Sequence, residues 1–455
     1  MAASANLVPV PVPDFSKYVE NLEQLINNTS SSSNAAVPRT DTVSSLKLLL
    51  VSQHIANTTS CGKISHGLIR ELSKHSWIST IHFATKRSDT RAIDRNYPPN
   101  IKVIDVFDSD KKADHSSGLG ISELTRVIKK ETPNIVLIYG DMVSITKYIE
   151  CIRQTSIERP FRIWLYLDQD NTFIPPPAVD IINRDTDQVF VYSNEWRTHL
   201  KGCGVIRNIG VLTPGFDQDS LRIIPRGVAR QQANLPGDMF IFLCTYRNRP
   251  NKRLDIAIMA FVELIVKYPV KQIFMLCACD KGEQGGYQLF EIFYNELRKR
   301  KESQEYFGNR LLVTATSTPY NYKDTDINIF YNLADVGINC SDGVGFGLSA
   351  FEQMSVEIPQ IVTDSIGYRD FCNSSNSILV KPFMQSYIPT VSNPLGGEIE
   401  VVRPQDVSKA MEQYVIQEDL RKVHSANAKE TVRKYMWKEN ILPLLKGLEN
   451  FKNSS

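Results

Sequence analysis

Hydrophobic residues in this chain fall into short continuous runs, separated by longer stretches of helical periodicity. Leu48–Val51 is uniformly apolar, whereas Gly62–His75 behind it repeats apolar residues every three or four positions. The first pattern predicts a strand buried on both faces, the second an amphipathic helix. Strand candidates follow at Thr80–Phe83, Ile101–Val106, Asn134–Tyr139, Arg162–Leu167 and Gln188–Tyr192, with helical patterns at Ser122–Lys130 and Ile145–Gln154. The rhythm restarts after Thr213-Pro-Gly-Phe. Strands are expected at Met239–Cys244, Gln272–Cys277, Arg310–Val313, Val336–Cys340 and Gln360–Val362. Helices are expected at Leu254–Lys267, Tyr287–Lys301, Ile327–Leu333, Leu348–Ser355, Val407–Glu418 and Leu420–Tyr435. Continuous apolar strands spaced by helices predict parallel sheets covered on both faces. Two such modules make an α/β chain of two Rossmann-like domains with a ligand cleft between them.

The expected organisation is a peripheral segment 1–46, an N-terminal domain 47–212, a C-terminal domain 213–425 and a terminal helix 426–455 packing back on the first domain. The peripheral segment combines Val8–Pro13 (VPVPVP), which disfavours helix, with the low-complexity Asn27–Ala36. Between them Phe15–Ile26 is a candidate short helix. Residues 382–400 break the rhythm and read as a surface insertion.

Composition narrows the classes. A chain of 455 residues with 22 % charged and 42 % hydrophobic residues is an ordinary globular protein of two or three domains. A net charge of +2 gives no footprint for nucleic acid. No apolar run reaches the length of a membrane span, and the N-terminus lacks a signal-peptide pattern, so a cytoplasmic protein is expected. The 8 cysteines include no CxxC pair and read as free thiols in a reducing compartment.

The densest chemistry lies at 343–352, Gly-Val-Gly-Phe-Gly-Leu-Ser-Ala-Phe-Glu, directly after the apolar run Ala334–Cys340. Strand, glycine loop and helix start point backbone N–H groups and a helix N-terminus at an anion. Glu352 falls one helical turn past Leu348, beside whatever the anion is attached to. A diphosphate bearing a hydroxylated group, such as a nucleotide sugar, fits that arrangement.

These residues resemble the retaining glycosyltransferases of the GT-B fold, family 4 type. Gly345-Phe-Gly-Leu348 and Glu352 match that family's Glu-Gly-Phe-Gly-Leu-(three residues)-Glu. Arg247 and Lys252, five apart after Cys244, match its basic pair, and Tyr331-Asn-Leu-Ala334-Asp335 its Tyr-x-x-Ala-Asp. The resemblance implies a metal-independent transfer from a nucleoside diphosphate sugar to a glycan or other hydroxyl acceptor, without a further cofactor. It implies that Arg247 and Lys252 stabilise the leaving diphosphate, with Gly345, Phe346, Gly347 and Leu348 around the donor and Glu352 on the ribose. Gly62 and Lys63 occupy the place of the family's first glycine-rich loop, facing diphosphate or acceptor. Asp168 is the positional candidate for orienting a sugar hydroxyl or the acceptor nucleophile. One position departs: Val344 stands where the family has its first Glu, which contacts the transferred sugar. Asp342 shares a face with it in an extended segment and is the candidate replacement.

Asp168-Gln-Asp170 also spells a DxD, which in the other glycosyltransferase fold, GT-A, holds a divalent metal. The C-terminal motifs favour the metal-free fold. Two further readings stand beside the enzyme: a degenerate binding or scaffolding module, motivated by Val344, and a dinucleotide oxidoreductase, for which the first strand carries no GxGxxG.

Overall fold

A computed structural model describes residues 45–86, 95–106, 118–155, 160–314, 323–388 and 396–454. The candidate helix Phe15–Ile26 lies outside these residues.

The first module opens with β1 (Leu46–Gln53), α1 (Ser60–Leu72), β2 (Ile78–Thr85) and β3 (Lys102–Asp105). It continues through α2 (Ile121–Glu131), β4 (Ile135–Gly140), α3 (Met142–Gln154), β5 (Arg162–Leu167), α4 (Pro176–Asp185), β6 (Gln188–Val191), α5 (Asn194–Gly202) and β7 (Asn208–Val211). Its strands form one parallel sheet in the order β3-β2-β1-β4-β5-β6-β7. Leu48, Leu49 and Leu50 of β1 and Ile135 to Ile138 of β4 are fully buried, as strands covered on both faces must be. The order reverses between β1 and β4. There the loops after successive strands diverge and leave a crevice at the strands' C-terminal ends.

The second module runs α6 (Arg226–Gln232), β8 (Phe240–Cys244), α7 (Leu254–Lys267), β9 (Ile273–Cys277), α8 (Leu289–Lys299), α9 (Gln304–Phe307), β10 (Leu311–Val313), α10 (Asp324–Leu333) and β11 (Val336–Asn339). It then adds α11 (Leu348–Ser355), β12 (Gln360–Thr363), β13 (Ser377–Val380), and the antiparallel ribbon of β14 (Met384–Tyr387) and β15 (Glu398–Val401). The parallel sheet order is β10-β9-β8-β11-β12-β13, so its reversal lies between β8 and β11. The surface insertion expected at 382–400 is this ribbon. Strands β7 (NIGV) and β13 (SILV) are short and carry a polar residue at the start, and neither is among the strands expected from the sequence.

The chain ends with α12 (Pro404–Ile416), α13 (Glu418–Val432), α14 (Trp437–Asn440) and α15 (Leu442–Ser454). The single terminal helix expected near 426–450 is therefore broken. Met436 is extended and bridges to Phe216. Trp437 then wedges between Gly67 and Gly215, where a Cβ would come within 2.3 and 2.4 Å of it. The chain thus returns to the first module, and Gly447 of α15 lies against Trp164 of β5. No helix among the described residues is long and apolar enough to cross a membrane. All 8 cysteines are free.

Candidate functional site

Both reversal points open into one cleft of about 400 Å³ between the modules. Its walls come from loops after β1, β4 and β5 on one side and after β8 and β11 on the other. Arg247, Lys252, Asp168, Lys63, Gly345, Phe346, Gly347, Leu348 and Glu352 all line it, gathered from positions nearly three hundred residues apart. Gly62 and Asp342 do not.

The glycine loop has two duties. Gly347 caps α11 in the left-handed region (φ +67°), with Tyr368 so close that a Cβ would fall 2.3 Å from its ring. The earlier glycines face the other module. A Cβ on Gly345 would lie 2.8 Å from Asp168 Oδ1, and one on Gly343 2.7 Å from the Asp170 carbonyl. Trp196 Nε1 donates to the Gly345 carbonyl at 2.8 Å. Phe346 packs with Tyr192, Phe351 and Phe371 at ring distances of 5.9, 5.0 and 5.2 Å. The loop is thus pinned to the first module on one side. Its N–H groups at Gly345, Phe346 and Gly347 donate to no protein acceptor among the described residues, and the first turn of α11 adds its own unpaired donors. Interdomain packing thus leaves a row of unpaired N–H donors at the cleft among the described residues, an arrangement able to receive an anion.

The basic pair lies on the same wall, in the loop after β8. Lys252 ends a short 3-10 turn, Pro250–Lys252, and makes no ion pair among the described residues. Arg247 is paired with Glu283, which also holds Arg249 at 2.7 Å. Sequence reasoning missed Glu283 because it lies in the turn after β9, without periodicity.

Glu352 is fully engaged by protein. Lys63 Nζ from α1 donates to both its oxygens at 2.7 Å, and Tyr331 Oη donates to Oε2 at 2.7 Å. Lys63 also stands 3.7 Å from Asp324. Asp324 in turn receives a bidentate Arg95 at 2.7 and 2.8 Å, and Arg95 donates further to the carbonyls of Ile55 and Asn57. Burial alone would raise the Asp324 carboxyl, but Lys63 and Arg95 overcome it and hold it well below the usual carboxylate range. This relay of charges, Arg95–Asp324–Lys63–Glu352, crosses the domain boundary three times.

Asp168 sits at the cleft floor after β5. Its Oδ2 accepts from Cys61 Sγ at 2.9 Å, and Tyr139 and Tyr192 close a hydroxyl pair at 2.9 Å beside it. Burial pushes the Asp168 carboxyl up, opposed by the hydrogen bonds from Cys61 and Tyr192. Burial and the neighbouring Asp168 likewise push the Cys61 thiol up. Asp170 is also raised by burial, with Lys252 opposing.

Gly62 belongs to the scaffold. A Cβ there would come 2.0 Å from the Asn57 carbonyl, and its N–H is capped by Thr59 Oγ1 at 3.3 Å. Asp342 lies behind the cleft wall, its backbone tied to Asn251 and Glu400 at 3.1 and 2.9 Å. Burial raises its carboxyl to about 7, against Arg253 and Lys252, and its Oδ1 has no partner. Val344 lines the cleft, 7 % exposed, and offers only methyl groups where the resembled family has a carboxylate. Among the described residues no group of His, Cys, Asp and Glu is arranged to hold a metal.

No protein-family model and no curated protein matches the chain. Solved structures do. Sucrose-phosphate synthase from Thermosynechococcus elongatus superposes with a TM-score of 0.65 at 15 % identity, over 90 % of this chain and 100 % of that one. Anabaena HepE in complex with UDP and glucose gives 0.61 at 13 %, over 89 % and 100 %. An E. coli trehalose-6-phosphate structure bound with UDP-2-fluoro glucose gives 0.60 at 13 %, over 88 % and 98 %. At such identities the likeness is one of fold, and together with the two facing parallel sheets it shows that this chain has the GT-B fold.

Proposed function

We propose that this chain is a retaining glycosyltransferase of the family 4 type, moving a sugar from a nucleoside diphosphate to an acceptor hydroxyl. The observation that carries the reading is the juxtaposition across one cleft. The glycine cradle, Lys252, Arg247 and Glu352 stand on one wall, and Asp168 faces them. In this reading the bond between the anomeric carbon and the diphosphate oxygen breaks, and charge grows on the leaving group. Lys252 and Arg247 bind that charge more strongly as it develops, which accelerates the step and takes the part of a metal. The acceptor oxygen bonds to the anomeric carbon on the same face, and its proton passes to the departing phosphate oxygen. Asp168 then orients hydroxyls and need not be a strong base. Glu352 accepts the ribose hydroxyls by sharing or exchanging its bonds with Lys63. UDP is the first nucleotide to try, because HepE is solved with it.

Release of nucleoside diphosphate from UDP-, GDP- and ADP-sugars, with and without excess chelator, tests the reading. Turnover with one base, unchanged by chelator, is expected. Nucleotide binding without turnover on any donor favours the binding-module reading, which the buried Val344 supports. Absence of any nucleotide binding refutes both.

A further inference from the structure

The two walls of the cleft differ in charge, and the difference bears on the acceptor. We infer that the acceptor is an uncharged polyhydroxyl compound, a neutral sugar or glycan end, and that phosphate-bearing sugars are turned away. The inference rests on the transferase reading above.

The N-terminal wall presents Asp141, Asp168 and Asp170 to the cleft. Its one lining cation among the described residues is Lys63, already held by Glu352 at 2.7 Å and 3.7 Å from Asp324. Lys86 stands 3.6 Å from Asp141 but does not line the cleft. Across the gap Lys252 and Arg247 are engaged by the donor's diphosphate in the proposed reaction.

A phosphorylated acceptor would bring about −1.5 to −2 charges among these carboxylates. Among the described residues, no unengaged cation on that wall would receive it. Each like-charge pairing at ~8 Å weakens binding by about two- to thirty-fold, according to how far water screens it. Hydroxyl groups meet the opposite situation. A carboxylate accepts from two adjacent hydroxyls, and Asp141, Asp168 and Asp170 line this wall. Thr59 Oγ1, bonded to Gln53 Oε1 at 2.6 Å, adds neutral hydrogen-bonding groups to the same wall. Two of the superposed proteins carry a sugar phosphate in their names, so the fold itself does not dictate the preference.

Saturation-transfer NMR on the full chain tests this, with saturating UDP filling the diphosphate site. Glucose, fructose and maltose are set against glucose 6-phosphate and fructose 6-phosphate at physiological salt. The neutral sugars are expected to bind, and each phosphate at least about tenfold more weakly than its neutral counterpart. The double variant Asp141→Asn, Asp170→Asn should shrink that gap to about threefold or less, since Asn keeps the helix cap and the shape but not the charge. A phosphate that binds as well as its neutral counterpart overturns the inference. So does a gap untouched by the double variant when UDP affinity is unchanged, or the absence of a saturable signal from every neutral sugar. Failure of UDP itself to bind removes the transferase reading, and the inference with it.

Discussion

Lys252 and Arg247 look equivalent in the sequence but not in the fold, and the difference is measurable. Lys252 has no acidic ion-pair partner among the described residues, whereas Arg247 shares Glu283 with Arg249. A diphosphate therefore meets a ready cation at Lys252, but must draw Arg247 from an existing pair. A hydrogen bond to a charged group contributes about 1.5–3 kcal/mol, or roughly 10- to 150-fold in Kd. Lys252→Ala should lie toward the upper end, about 100-fold weaker UDP binding, because the lysine also screens acids. Its charge opposes the burial that raises the carboxyls of Asp168 and Asp170, and without it these two cleft-lining acids face the diphosphate unscreened. Arg247→Ala should cost about three- to tenfold, since the lost phosphate contact is offset by the Glu283 pair it no longer has to give up. Isothermal titration of UDP against wild type and both variants reads the effect, with uridine as the control for the base and ribose. Uridine affinity should stay within about twofold, as neither residue is placed on the nucleoside. Lys252→Ala within about threefold of wild type for UDP, or Arg247→Ala the more damaging of the two, would refute the reasoning.

Arg95→Met should destabilise the protein by about 3–5 kcal/mol, because it strands buried Asp324 and two carbonyls. Adding Asp324→Asn should recover part of that loss in urea unfolding, and strict additivity would show that the pair is not coupled. Asp324 has a folded pKa below its unfolded one, so its stabilisation is present above about pH 4 and is lost as pH falls further. Cys61→Ala removes a hydrogen bond that favours ionised Asp168, so the acid limb of the pH–rate profile should move to higher pH while Cys61→Ser keeps it in place. An unmoved limb in Cys61→Ala would show that Asp168 does not depend on the thiol. Asp342, raised to about 7 in the fold, costs stability as pH climbs from about 4 to 7 and no more above that. Asp342→Asn should therefore gain on wild type across that window, by up to about 4 kcal/mol, in thermal unfolding followed against pH.

Much of the fold was legible because it rests on local pattern. Runs such as Leu48–Val51 and Ile273–Cys277 are apolar along their length because parallel strands are covered on both faces. The cleft residues Gly345 and Glu352 were legible from the glycine loop and helix start after a strand, and Lys252 from the resemblance to a family's basic pair. Other site residues were not. Tyr331 read only as part of a motif, and its hydroxyl turned out to hold Glu352. Cys61 read as one thiol among eight, and nothing in the sequence singled out Arg95. Gly62 was drawn toward the ligand by its place before Lys63, yet the contact that demands glycine there is the Asn57 carbonyl.

The sequence by itself determined two α/β modules, their strand and helix rhythm, and the glycine loop followed by Glu352. Each depends on residues within one or two turns of one another. Only the tertiary structure decided what meets across the cleft. Lys63 reaches Glu352 over 289 positions and Arg95 reaches Asp324 over 229. Such pairs leave no period or spacing to read, because the partners share no element and come together only when the two sheets face each other. The same closure shows why Gly343 and Gly345 are glycine: they admit the other domain's Asp170 carbonyl and Asp168 carboxylate within 3 Å of where a side chain would begin.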